Sequence, residues 1–339
     1  QEFDRLDYHS VLLSPLPREF PMPKRIPAQV IFTPPNEALR YLTEGPYRIG
    51  DHQLSWVAIQ HGADSEQGSL NLLDYAGGLN RTVELPGRPG FAFPTTTPGQ
   101  FVVGMERRVC LIDVHTGAVV ETIAEGVDAE VEGTIINGGM VYGEYLLFGC
   151  KDLEFATQKA GLYLLKPDKT LVQLANDQVC SNGKDIRVEA DGTLRFFDIC
   201  SWTKQIVSWT LDLEAATIRD KQVVVDLTSE DVAPDGMILT PDKQSLIVAI
   251  FNPGDADTGE ARQYNVASGE LETVWTCPGS PRVTCPQLIE HGGGVKLFLT
   301  SADEGMEPAL REKSPNAGCL FVAETDFDTL NENPVYPTS

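Results

Sequence analysis

Among the oxygen-bearing side chains that stand directly before a glycine, four recur in one phase of this chain: Glu44-Gly45, Asn137-Gly138, Asn182-Gly183 and Asp235-Gly236. Their separations are close to roughly fifty residues or twice that, the spacing of a repeat array. Two of the four are carboxylates and two are amides, so together they make an all-oxygen donor set of charge −2. Hard oxygen donors suit Ca²⁺, Mg²⁺ or Mn²⁺, whereas Zn²⁺ prefers His and Cys. A single Asn-Gly or Asp-Gly pair is an ordinary turn. Four pairs in one phase of a repeat predict a shared site, with each glycine allowing close backbone approach near an axis.

The elements that must position these side chains follow the same phase. Cuts at Glu44, Phe91, Asn137, Asn182, Asp235 and Pro286 divide the chain into similar segments of roughly fifty residues. Each cut is followed by a strongly apolar run: SWVAIQ, FVVGM, YLLFGC, LRFFDI, SLIVAIF and KLFLTS in turn. Five segments then carry two alternating strands joined by a Gly, Asp, Pro or Ser turn, for example VCLIDVHTGAVVETI, the signature of a hairpin. No stretch has a long helical period. About four strands per segment predict an all-β, six-bladed β-propeller, with a double-sheet sandwich as the lesser alternative. The sixth segment is one strand short, so the early strand AQVIF, from Ala28, is expected to complete the last blade and close the ring. The expected organisation is an extended, proline-rich arm over 1–27, one propeller domain over 28–330, and a tail over 331–339.

The chain has 339 residues and a formal net charge of −23, with no extended Lys/Arg cluster. That argues against nucleic acid and anionic membrane as partners, since both demand a basic footprint. Its longest apolar runs are about seven residues, far short of the roughly twenty needed to span a bilayer. The seven cysteines contain no CxxC pair and read as small buried hydrophobes in a reducing compartment. A cytoplasmic location is therefore favoured. The start at Gln1 implies a processed terminus, which leaves secretion or a periplasmic location open. The oligomeric state is not specified by the sequence.

Several strings carry a family resemblance. CSNGKDI (180–186), APDGMIL (233–239) and TSADEGM (300–306), with TEGPYRIGDHQLSWV (43–57) and TIINGGMVYGEYLLFG (134–149), resemble the gluconolactonase, regucalcin and senescence-marker-protein superfamily. The resemblance implies a six-bladed propeller with one divalent cation at the bottom of a central pocket, calcium first, with Mg²⁺, Mn²⁺ or Zn²⁺ as alternatives. It further implies Glu44, Asn182 and Asp235 as metal ligands. Asn137 would bind the metal directly or reach it through water and substrate, and Asp235 would be the general base or nucleophile. The expected activity is metal-dependent hydrolysis of a small lactone or ester. Two positions depart from the sugar-lactonase pattern: Ile135 stands where arginine is common and Gly138 where aspartate is common. These predict a lactone less polar than gluconolactone, with Asn137, Ile135 and Glu154 facing the substrate. Two alternatives accompany this expectation: phosphotriester hydrolysis on the same metal site, and a non-catalytic, metal-stabilised propeller that binds a ligand or partner.

Other signals are weaker. Trp202 reads as a blade-packing aromatic, with a place on the pocket rim as the lesser alternative. His291-Gly292-Gly293-Gly294 looks like an oxyanion loop, but no GxSxG elbow serves it, so it reads as a turn between two strands. Asp255 to Gly259 resembles half of a calcium-binding loop and reads as a solvated hairpin insertion.

Overall fold

Strands with apolar side chains on both faces must be covered on both faces, and this requirement organises the molecule. In the run SLIVAIF, Leu246, Val248 and Ile250 pack toward the preceding sheet, while Ile247 and Ala249 pack toward the following one. The computed structural model describes residues 22–338 and contains six sheets, each built mainly of four antiparallel strands. They form the blades of a six-bladed β-propeller. The inner strands are Thr43–Gly50, Pro89–Pro94, Thr134–Tyr142, Ser181–Val188, Ala233–Leu239 and Val283–His291. Each packs on the next, and the sixth packs back on the first. The apolar side chains accordingly collect in six layers, one between each pair of neighbouring blades.

Ring closure occurs where the missing strand demanded it. Gln29–Phe32 pairs antiparallel with Leu320–Glu324 and completes the sixth blade. The end of the proline-rich arm departs from expectation. Instead of staying unpacked, Lys24–Pro27 adds a fifth, parallel strand to the outer edge of the fifth blade, against Leu271–Pro278. The physical reason is an open edge on the Leu271–Pro278 strand: Lys24–Pro27 occupies it, and the Ala28 N–H then donates to the Thr276 carbonyl at 2.8 Å. This short stretch therefore staples blades five and six together. The rest of the arm, 1–21, lies outside the described residues.

The other end of the chain also packs. Arg48 holds Asn331 through its side chain at 2.9 Å and its carbonyl at 2.6 Å, Lys243 pairs with Glu332 at 3.3 Å, and Tyr336 pairs with Thr95. Residues 331–336 thus cross the ring from blade six over blades five, one and two. They close the channel at the end where the inner strands finish. The His291 glycine run is the turn between Val283–His291 and Gly294–Ser301, and Asp255 sits on an exposed insertion paired with Lys313.

Candidate functional site

The four X-Gly pairs fall at one structural position. In blades one, three, four and five the ladder between the first two strands slips at Glu44/Tyr47, Ile136/Gly139, Ser181/Lys184 and Pro234/Met237. Each slip is a bulge, and a bulge re-aims a side chain out of the alternation of its strand. Here the bulges turn Glu44, Asn137, Asn182 and Asp235 toward the channel. The glycines have a concrete role at two of them. A Cβ on Gly183 would lie 2.5 Å from the Met237 backbone nitrogen, and one on Gly236 would lie 2.7 Å from the Thr284 carbonyl. No other residue lets neighbouring inner strands approach this closely. Blade six has the same bulge, occupied by Thr284 and Cys285.

Both amides are fixed from behind. Asn137 Nδ2 donates to the Ser181 carbonyl at 2.8 Å, and Asn182 Nδ2 donates to Ser201 Oγ at 3.0 Å. Ser201 in turn donates to the Pro234 carbonyl at 2.8 Å, which tethers blade four to the bulge that carries Asp235. With the NH₂ groups engaged outward, each amide keeps its oxygen for the channel. Lys184 braces the same bulge by donating to the Asn182 carbonyl at 2.5 Å and to Ser181 Oγ at 2.8 Å. Its counter-ion is the buried Asp198 at 3.5 Å.

The electrostatics show what this arrangement lacks. Burial pushes the Glu44 carboxyl up to about 7, against the Gly45 N–H, the Cys285 thiol and Lys151, which pull it down. Burial, then the neighbouring Glu44 and Glu304, hold Asp235 well above the ordinary carboxylate range. Two desolvated carboxylates close enough to feel each other's charge ionise together only against positive charge. Lys151 supplies part of it. The two carboxylates with the two amide oxygens make a donor set that fits one hard divalent cation, which would supply the remainder. Among the described residues no cluster of three or more His, Cys, Asp or Glu is gathered for a metal, and this set contains only two such side chains.

The four residues form the floor of a cavity of about 620 Å³, within the range of small-molecule sites. Its walls are largely apolar, with Leu42, Ile59, Phe155, Trp202 and Phe251, and its polar members include Lys151, Lys204 and Glu304. Glu44 and Asn182 also line a second, smaller cavity of about 220 Å³, bounded by Asn331, Glu332 and Pro334 of the C-terminal crossing. The ring that carries these side chains is thus a partition between an outer chamber and a chamber closed by the tail.

Of the residues expected to face substrate, Asn137 lines the outer cavity. Ile135 is buried outside its lining, and Glu154 is exposed on the loop that follows the Tyr145–Asp152 strand, also outside it. Trp202 is 55 % exposed and lines the cavity, so its place is on the rim rather than in blade packing. Sequence reasoning passed over Lys151, Ser201, Cys285 and Glu304. A signal for Lys151 was present: it is the lone cation at the end of the apolar strand YLLFGCKD. All seven cysteines are unpaired and six are buried, consistent with their reading as small hydrophobes.

Residues 42–303 match the family model described as SMP-30/Gluconolactonase/LRE-like region. The chain belongs to this family. It is 28 % identical over 169 residues to regucalcin of Danio rerio (48 % of this chain, 51 % of that protein). It is 27 % identical over 235 residues to L-arabinolactonase of Azospirillum brasilense (68 % and 72 %). The chain thus spans about half the length of the first of these relatives and somewhat under three quarters of the second. In fold it is similar to the crystal structure of a calcium-binding protein, regucalcin from Agrobacterium tumefaciens. The TM-score is 0.76 at 19 % identity, covering 93 % of this chain and 99 % of that one. Across this family the name lactonase recurs. Among the described residues no helix is long and apolar enough to cross a membrane.

Proposed function

We propose that this family member is a divalent-cation-dependent hydrolase that opens a small lactone less polar than a sugar lactone. The observation that carries this reading is the convergence of Glu44, Asn137, Asn182 and Asp235 on the floor of an apolar-walled cavity of about 620 Å³. Calcium is the proposed ion, because the donors are hard oxygens and a relative in fold is described as a calcium-binding protein. Bound among these four side chains, such an ion supplies Lewis-acid polarisation of an ester carbonyl.

The chain's own residues do the rest. Asp235 is the proposed general base: its carboxylate takes a proton from the water as that oxygen bonds to the carbonyl carbon. The acyl–oxygen bond of the ring breaks, Asp235 returns the proton to the departing ring oxygen, and a hydroxy acid leaves. Asn137 and Asn182, with NH₂ groups tied to Ser181 and Ser201, keep their oxygens fixed, so no reorganisation is needed during the reaction. Leu42, Ile59 and Phe251 exclude water from the ring carbons, and Trp202 and Phe155 give a flat substrate a face to lie on. This lining supports a weakly polar ring over a polyhydroxylated one, which would leave hydroxyls unpaired against apolar walls.

The test is a panel of γ- and δ-lactones assayed beside phosphotriesters, with calcium and with chelator, for the wild type and for Asp235→Asn. Lactone turnover that vanishes with chelator and falls by about 100-fold or more in the variant supports the proposal. Phosphotriester turnover alone would move the assignment to that chemistry. Wild-type lactone hydrolysis in the folded variant would remove Asp235 from the mechanism.

A further inference from the structure

Lys151 is a polar group of the outer cavity whose placement the proposed chemistry leaves unused, as it does that of Lys204 and Glu304. It ends an otherwise apolar strand, is 4 % exposed, and lines the cavity together with Glu44, Asn137, Asn182 and Asp235. Among the described residues its ammonium makes no hydrogen bond and no ion pair, while its backbone pairs with Ile135 and Cys180. The other lysine of the cavity wall, Lys204, donates to the Glu230 carbonyl at 2.5 Å and pairs with Asp231 at 3.8 Å. Lys184, behind the floor, is paired with Asp198. The Lys151 ammonium stands 5.9 Å from the centre of the Phe155 ring, which also lines the cavity.

A buried ammonium without a bonded partner is costly, and such groups are retained where a ligand supplies the partner. The field of Lys151 reaches both floor carboxylates, yet it bonds neither. Its three donors therefore remain available to an oxygen lying above the floor. The cross-strand neighbour cannot do this work, because Ile135 pairs directly with Lys151 in the ladder and is apolar.

We propose that Lys151 is a substrate-contacting residue of this cavity, whose ammonium holds the carbonyl oxygen of the ester and, after ring opening, an oxygen of the product carboxylate. The inference rests on the hydrolase reading for the ester but not for the carboxylate, so the two can be tested apart. Ring opening adds water across the acyl–oxygen bond, which gives one carboxylate and one hydroxyl. The carboxylate is the species on which a fixed cation acts most strongly.

The experiment compares the wild type with Lys151→Met, Lys151→Gln and Lys151→Arg in the full chain. Three quantities are measured: calcium affinity by calorimetry, affinity for the four- to ten-carbon hydroxy acids derived from γ- and δ-lactones, and lactone turnover. Lys151→Met is expected to weaken hydroxy-acid binding by about 10- to 100-fold, the effect of one hydrogen bond to a charged group, with partial recovery in Lys151→Arg. Calcium affinity should stay equal or become tighter, since a repelling charge has left; a merely structural lysine would lower it. If hydroxy acids bind wild type and Lys151→Met alike, or do not bind the wild type at millimolar concentration, the proposal falls. Lysine-dependent hydroxy-acid binding without cation-dependent turnover would keep Lys151 and refute the hydrolase reading. Turnover indifferent to Lys151 would do the reverse.

Discussion

Ile135 and Lys151 are direct partners across the first two strands of blade three, so their side chains leave the same face of the blade. Only the longer, charged one reaches the cavity. Position 135 is therefore apolar and outside the cavity, while a cation enters from the neighbouring strand.

The two positions are not interchangeable. In the double variant Ile135→Lys/Lys151→Ile, the new ammonium would start from a site that is buried and outside the cavity lining. An unpaired buried charge of this kind is expected to cost roughly 3–5 kcal/mol. Denaturant unfolding should show that loss, and a swap of unchanged stability would mean that Ile135 has access to the cavity after all.

Ser201 is expected to set the cation affinity without touching the ion. Its hydroxyl accepts from Asn182 Nδ2 and donates to the Pro234 carbonyl. Ser201→Ala frees the amide to rotate and should weaken calcium binding by about 10- to 100-fold, as loss of an outer-shell partner does. Calorimetric titration measures this directly, and an unaltered affinity would show that the amide is held by other contacts.

Asp198 and Lys184 form a buried pair behind the floor, at 3.5 Å. Burial pushes Asp198 up to about 6 and pushes Lys184 down, with each partner's charge opposing the shift of the other. Removing one partner strands the other, so Asp198→Leu should destabilise the fold by about 3–5 kcal/mol. The double variant Asp198→Leu/Lys184→Met should recover much of that. A single variant as stable as the wild type in urea unfolding would contradict this account.

Asp152 provides the pH-dependent case. Burial would raise its carboxyl, but the N–H groups of Thr157, Glu154 and Ala156 and the Lys159 ammonium at 3.0 Å hold it below the ordinary range. A depressed carboxylate stabilises the fold above its unfolded value of about 4 and loses that contribution as pH falls below it. These bonds secure the loop that carries Phe155 to the cavity. Asp152→Asn should therefore lower the Tm most between pH 5 and pH 8. The gap to the wild type should narrow at lower pH, and a gap that stays constant down to pH 2 would rule out the ionised form as the stabilising one.

The strands, the number of blades and the phase of the four X-Gly pairs were legible in the sequence because they rest on local rules. Alternating apolar residues make strands, Gly and Asp turns join them, and strands such as SLIVAIF, apolar on both faces, require a blade on either side. The closing strand was legible for the same reason: the sixth segment lacked a strand and Gln29–Phe32 had the pattern to supply it. Contacts across the ring were not legible, because they join residues far apart in sequence. Lys24–Pro27 looked like a free proline-rich arm until the open edge of Leu271–Pro278 appeared beside it. The tail gained its place as a stopper from Arg48 and Lys243, whose positions follow from the closed ring. Glu154 sat near the right position in sequence but lies on an exposed loop, whereas Lys151, three residues earlier, ends a strand whose bulged partner opens it to the cavity. Sequence fixed which side chains share a phase. The closed ring decided which of them share a chamber, since side-chain direction at a bulge depends on the neighbouring blade.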